Sequence, residues 1–147
     1  MSDSATRRSG RCLCGAVSFS VSVPRAKFSI CHCSMCRRWS AGPFMAVHCK
    51  TDLEFADPEP VGWYESSAWA ERGFCSRCGT SLFYRLSNSP EGMLAVSAEA
   101  FDDKDDLELK QHIYVDQQPS RYAFADDAPR LTEAEVLAKF GITPQGE

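Results

Sequence analysis

Apolar and polar positions alternate along much of the chain with the period of two that marks half-buried strands. Over residues 16–23, Val17, Phe19, Val21 and Val23 take one face and Ala16, Ser18, Ser20 and Ser22 the other, until Pro24 ends the run. Residues 28–30 restart an extended segment. Over residues 44–49, Met45, Val47 and Cys49 share a face opposite Phe44, Ala46 and His48. Residues 53–55, 61–64, 68–74, 81–86, 93–98 and 111–115 continue the series of short strands. Turn-rich stretches separate them: Trp39-Ser40-Ala41-Gly42-Pro43, Asp57-Pro58-Glu59-Pro60, residues 88–92 and an acidic loop at 102–106. One stretch alone has helical punctuation. Thr132-Glu133-Ala134-Glu135 is a capping box, with Thr132 at the N-cap and Leu131 and Val136 placed for a hydrophobic staple; Gly141 and Pro144 supply the stop. The pattern predicts an all-β fold of compact, stacked antiparallel sheets with one C-terminal helix over about 132–140. Residues 1–9 are polar and read as a flexible tail, and residues 10–147 as a single domain.

The cysteines change this picture. Cys31-His32-Cys33-Ser34-Met35-Cys36 holds three thiols in six residues, too close for unstrained disulfides among themselves. A soft divalent metal explains the density, because thiolate–zinc bonds of about 2.3 Å place tetrahedral sulfurs about 3.8 Å apart. Three ligands from one segment leave a fourth position free for water or substrate. Two further pairs, Cys12-Leu13-Cys14-Gly15 and Cys75-Ser76-Arg77-Cys78-Gly79, are each followed by a glycine that lets the backbone turn its amides toward sulfur. Together they form a closed four-thiolate site across a long loop, of the kind that contributes directly to folding free energy. Cys49 shares a face with Met45 and Val47 and reads as a core thiol. The rival partition uses all eight thiols in two closed sites, with Cys49 as the last ligand. Iron–sulfur ligation lacks a familiar spacing here, and a thioredoxin-type CxxC needs a βαβ context that the chain lacks.

Composition sets the surroundings. The 147 residues are 44% hydrophobic and 24% charged, enough for one domain with a core. Net charge is -4 and would be about -7 with both zinc sites loaded, which does not invite nucleic acid or an anionic membrane. The polar start MSDSATRRSGR has no signal-peptide core, and no run approaches a membrane span. Eight cysteines in paired spacing then point to metal-bound thiols in a reducing cytoplasm.

Cys12-Leu13-Cys14-Gly15, Cys31-His32-Cys33 with Cys36-Arg37-Arg38, Phe74-Cys75-Ser76-Arg77-Cys78-Gly79-Thr80 and His112-Ile113-Tyr114-Val115 occur in this order over residues 10–115. In this the chain resembles the glutathione-dependent formaldehyde-activating family, also named for centromere protein V. The resemblance implies a zinc-stapled all-β fold. It implies a structural zinc on Cys12, Cys14, Cys75 and Cys78 and a catalytic zinc on Cys31, Cys33 and Cys36. It also implies a carbon–sulfur lyase chemistry that joins glutathione, or a similar thiol, to formaldehyde or another small aldehyde. The sequence departs from the family after Val115, where Pro119 is followed by Ser120-Arg121-Tyr122 and not by tryptophan.

The residues beside the triple cluster are the candidates for catalysis. His32, lying between two ligands, should face away from their metal and act as a hydrogen-bonding or lining residue. Ser34 and Arg37 are donors near a developing alkoxide. Arg37 and Arg38 favour thiolate over thiol and offer positive charge to the carboxylates of an anionic thiol. The alternative reading is a non-enzymatic binding or assembly module with two structural zincs.

Overall fold

The computed structural model describes residues 5–87 and 92–140. Two sheets face each other. The smaller has the order β1-β2-β5, from Thr6–Arg11, Ser18–Val23 and Glu54–Phe55. The larger has the order β11-β10-β3-β4-β9-β8-β7-β6. Its strands are β3 (Lys27–Cys31), β4 (Phe44–Cys49), β6 (Val61–Glu65), β7 (Ala70–Cys75), β8 (Ser81–Leu86), β9 (Leu94–Ser97), β10 (Glu108–Ile113) and β11 (Arg130–Leu131). Helices are α1 (Ser34–Ser40) and α2 (Glu133–Phe140). None is long and apolar enough to cross a membrane among the described residues.

The alternation read from the sequence is what closes the sandwich. Val17, Phe19, Val21 and Val23 from the small-sheet side meet Val47, Cys49, Phe83, Leu94 and Val96 from the large one. Phe19 sets its ring edge-on to Phe83 at 5.1 Å and to Phe101 at 5.7 Å. Gly10 lets β1 approach this core, because a Cβ there would lie 2.5 Å from Ala100 O and 2.6 Å from Phe19 Cζ. The opposite face of the large sheet is not covered by the small sheet. Lys27, Ser29 and Cys31 of β3, Phe44, Ala46 and His48 of β4, and Tyr84 of β8 all line a cavity there.

Four expectations are corrected. Thr6 to Ser9, read as part of a tail, form β1 with Gly10 and Arg11. The strand is polar on both faces because its side chains make ion pairs and not core: Arg7 with Asp52 at 2.8 Å and Arg8 with Asp106 at 2.8 Å. The large sheet is mixed, since β10 pairs parallel with both β3 and β11. A second helix, α1, stands where a turn was expected. Its N-cap is the Cys33 sulfur, which accepts from the Cys36 amide at 3.3 Å, a cap outside the usual Ser/Thr/Asp/Asn signal. The last long strand ends at Ile113, because Tyr114 takes the left-handed φ of 58°. At α2 the capping box forms as read: the Thr132 amide donates to Glu135 Oε1 at 2.8 Å, and the Glu135 amide to Thr132 Oγ1 at 3.3 Å. The Gly141–Pro144 stop lies outside the described residues.

Candidate functional site

Cys12 and Cys14 sit in the β1–β2 connection and Cys75 and Cys78 at the end of β7, and their four sulfurs lie within 4.8 Å of one another. Cys12 to Cys14 is 3.7 Å and Cys14 to Cys75 is 3.8 Å, the edge expected of a tetrahedral ion with thiolate bonds of about 2.3 Å. Gly15 and Gly79 adopt matching left-handed φ values of 83° and 85°. The amides of Val17 and Ala16 then point at Cys12 and Cys14 sulfurs at 3.3 and 3.5 Å, and those of Arg77 and Cys78 at Cys75 sulfur, both at 3.4 Å. The Thr80 hydroxyl, 3.1 Å from Cys78 sulfur, draws that thiol down to about 5. The donor set therefore fits a metal ion.

The second group is Cys31, Cys33 and Cys36, whose sulfurs also lie within 4.8 Å of one another. Cys31 is the last residue of β3, Cys33 caps α1 and Cys36 lies in its first turn. Hydrogen bonds from Cys31 and Cys36 pull the Cys33 thiol down to about 2, while the same contact pushes Cys31 well above its ordinary value. Without a cation, one sulfur carries the charge and its neighbours keep their protons. An ion at the centre is what lets all three ionise. Cys49 joins neither group. It is 2% exposed on the core face of β4, donates to Val47 O at 3.4 Å, and burial raises its thiol to about 12.

His32 does face away from the sulfurs. It is fully buried, with Nδ1 2.8 Å from Tyr122 Oη and Nε2 2.8 Å from His112 Nδ1. His112 Nε2 in turn reaches Asp126 at 3.0 and 3.1 Å. An ionised carboxylate can only accept, so His112 Nε2–H donates to Asp126, His32 Nε2–H donates to His112 Nδ1, and the tyrosine hydroxyl donates to His32 Nδ1. Burial, then repulsion from His112, lowers His32 to about 4, so the ring is neutral at pH 7.

Arg37 is occupied by backbone, with Nε donating to His32 O at 2.9 Å and Nη2 to Gln117 O at 3.2 Å. Arg37 and Arg38 line a separate depression with Arg121, and Ser34 alone of the four expected site residues borders both hollows. The cation that touches the triple cluster is Arg72 of β7. It is 4% exposed, its guanidinium lies 5.1 Å from the Trp39 ring centre and 4.9 Å from that of Tyr84, and Nη1 donates to Cys36 sulfur at 3.5 Å. Among the described residues Arg72 Nε has no hydrogen-bond partner. Its signal was an arginine at a buried position of a strand three residues before Cys75, which strand periodicity alone does not distinguish from an edge residue.

Cys31, Cys33 and Cys36 line a cavity of about 750 Å³. Burial raises Tyr84 to about 12 and Tyr114 higher still, so both phenols on its wall stay protonated. Tyr114 is held there by a left-handed backbone that is costly for a bulky side chain.

The sequence profile of the glutathione-dependent formaldehyde-activating enzyme family matches residues 7–117. An uncharacterized lyase from Schizosaccharomyces pombe is 34% identical over 128 residues, 87% of this chain and 93% of that protein. A Halomonas elongata protein named for the same family is 34% identical over 91 residues, 56% of this chain and 58% of its own length. A crystal structure of a Rhodobacter sphaeroides protein superposes with a TM-score of 0.57 at 25% identity, covering 69% of this chain and 99% of that one. On these grounds the chain belongs to the glutathione-dependent formaldehyde-activating enzyme family.

Proposed function

We propose that this protein is a zinc-dependent carbon–sulfur lyase that, in the synthetic direction, adds a glutathione-like thiol to an aldehyde in the cavity beside Cys31, Cys33 and Cys36. The observation that carries the reading is the contrast between the two cysteine groups. One offers four sulfurs and the other three, with the three facing a cavity and Cys49 on the far side of the sheet. Zinc on the three thiolates would supply a Lewis acid that favours the deprotonated form of an incoming thiol.

The chain's own residues do the rest. Arg72 places a fixed positive charge beside Cys36, where negative charge gathers. In the reaction the substrate sulfur forms a bond to the carbonyl carbon, the carbonyl π pair moves to oxygen, and the proton that left the thiol ends on that oxygen. Tyr114 and Tyr84, held protonated on the cavity wall, have O–H hydrogens to offer the alkoxide. The Tyr122–His32–His112–Asp126 chain spends its donors on its own hydrogen bonds. It fixes the segment between Cys31 and Cys33 from behind, so His32 and Arg37 act as positioning residues.

The test is hemithioacetal formation from glutathione and formaldehyde with protein loaded with two zinc ions per chain. A rate above background that disappears in Cys33→Ser, with the four-cysteine zinc retained, is the expected result. No rate above background with any small aldehyde refutes the reading.

A further inference from the structure

The cavity has two lobes of opposite chemistry, and the sulfurs stand between them. Cys31 ends β3 on one side, and Cys36 lies against Arg72 of β7 on the other. The first lobe lies over β10 and β3 beside α2, and carries Arg25, Lys110 and Lys139. Among the described residues none of these three has an ion pair. Burial, and then the positive charges of Lys139 and Arg25, push Lys110 down. Glu133 also lines this lobe, and its Oε1 accepts from Gln117. Three crowded cations outnumber the one carboxylate of Glu133, and that balance is complementary to an anion.

The second lobe lies over β9 and β8. Trp69, Leu86 and Met93 line it, each half-buried, and Ala95 keeps its floor low. The Leu86 amide donates to Met93 O at 3.1 Å, which holds these two side chains together. The midline of β10 and β3 and that of β9 and β8 are three places apart in the sheet, so the lobes are separated by about 14 Å at about 4.8 Å per strand. A fully extended tripeptide spans only about 10–11 Å. Glutathione held by its sulfur near the cysteines reaches one lobe and not both, and a one-carbon aldehyde fills neither. The charge selects the first lobe for glutathione's carboxylates, which leaves the apolar lobe for the other reactant.

Resting on the proposed thiol addition, we infer that the aldehyde this protein serves carries an alkyl substituent of several carbons, which packs between Trp69, Leu86 and Met93 while the carboxylates of the anionic thiol face Arg25, Lys110 and Lys139. The product is the hemithioacetal RS–CH(OH)–R′. One S–C bond forms, the C=O π pair becomes the hydroxyl oxygen's, the thiol proton ends on that oxygen, and nothing is oxidised or reduced.

The test uses stable mimics of that adduct. S-Methyl-, S-butyl- and S-hexylglutathione are titrated calorimetrically into the zinc-loaded full chain. Complete burial of a methylene is worth about fourfold in affinity and half-burial about twofold, so S-hexyl should bind about thirtyfold tighter than S-methyl. Met93→Glu should flatten that gradient. Leu86→Ala, a milder change, should reduce it even if the glutamate variant fails to fold. In turnover, the ratio of kcat/KM for hexanal to that for formaldehyde should exceed one and fall in both variants. A flat series, with S-methylglutathione still bound and formaldehyde still turned over, overturns the inference and leaves the thiol–aldehyde reading standing. No turnover of any aldehyde overturns both. If no thioether binds and the chain sediments as a dimer, the apolar lobe is a subunit contact and the inference falls.

Discussion

Replacing Arg72 with methionine tests a cation that touches the three-cysteine group. The side chains are similar in length, so the substitution removes charge and donors with little change in volume. The bond from Nη1 to Cys36 sulfur, 3.5 Å long and shielded from water, is charge-assisted when the sulfur is a thiolate. Bonds of that class contribute about 1.5–3 kcal/mol. Taking about 2 kcal/mol, the three-cysteine site should lose about thirtyfold in zinc affinity, within the range for a group that orients a metal ligand. Fold stability should move far less. Two cation–π contacts of about 1–2 kcal/mol each are lost, with Trp39 and Tyr84, but so is the cost of burying a guanidinium whose Nε is unpartnered. The assay is a chelator titration of the two-zinc protein read by a zinc-binding dye, in which the four-cysteine zinc serves as internal reference. The methionine variant should release one equivalent at about thirtyfold lower chelator strength and the second as in the parent. Arg72→Lys should fall between. If both equivalents leave on the parent's curve, Arg72 does not support the metal site and its assignment beside the reaction loses its basis.

Cys75→Ser should lower the zinc content by about one equivalent and the melting temperature markedly, and a variant that melts like the parent with full zinc refutes the four-cysteine staple. Cys49→Ala should cost about 1 kcal/mol in denaturant unfolding through lost packing, with zinc stoichiometry unchanged by elemental analysis; loss of a zinc would make Cys49 a ligand after all. Gly10→Ala should cost about 1–3 kcal/mol, because its Cβ meets backbone at Ala100 that has no rotamer to yield. His32 has a folded value of about 4, below the unfolded value of about 6.5, so the unfolded chain binds more protons between them. Its contribution is present above about pH 6.5 and lost as pH falls toward 4. Thermal melts of the parent should show a steeper loss across that window than His32→Gln, and parallel slopes would show that the histidine does not couple folding to pH.

The sandwich was legible because β2 and the residue before it carry their alternation in full, as Val17, Phe19, Val21 and Val23. Both cysteine groups were legible from spacing, since two-residue and three-residue steps bring sulfurs together locally whatever the rest of the fold does. What was hidden had nonlocal causes. Strand β1 is polar because its partners are Asp52 and Asp106, far along the chain. Helix α1 begins on a sulfur cap, and a cysteine in a metal motif gives no helix signal. Arg37 and Arg38 read as substrate ligands by adjacency, and the turn of α1 sets them on a depression shared with Arg121 whose lining does not include the three cysteines. Arg72, 36 residues beyond Cys36, comes to it only because β7 lies in the same sheet as β3.

The parallel pairing of β3 with β10 has a consequence during synthesis. Cys31 ends a strand whose neighbour on that side, and the α2 wall of the cavity beyond it, are made from residues 108–140. A ribosome adding about 5–20 residues per second needs about 4–15 s to travel from Cys36 to Lys110, and longer to reach α2. Through that interval the three thiols have emerged without the strand that will flank them, and Cys12 and Cys14 await Cys75 and Cys78 for a similar time. A nascent chain that captures its metal on the local Cys31–Cys36 segment passes this window with its sulfurs already occupied. One that does not carries six bare thiols, Cys49 among them, into whatever oxidants surround it before Cys75 is made. Free zinc and redox conditions during translation should therefore govern the yield of active protein more than the equilibrium stability of the finished fold.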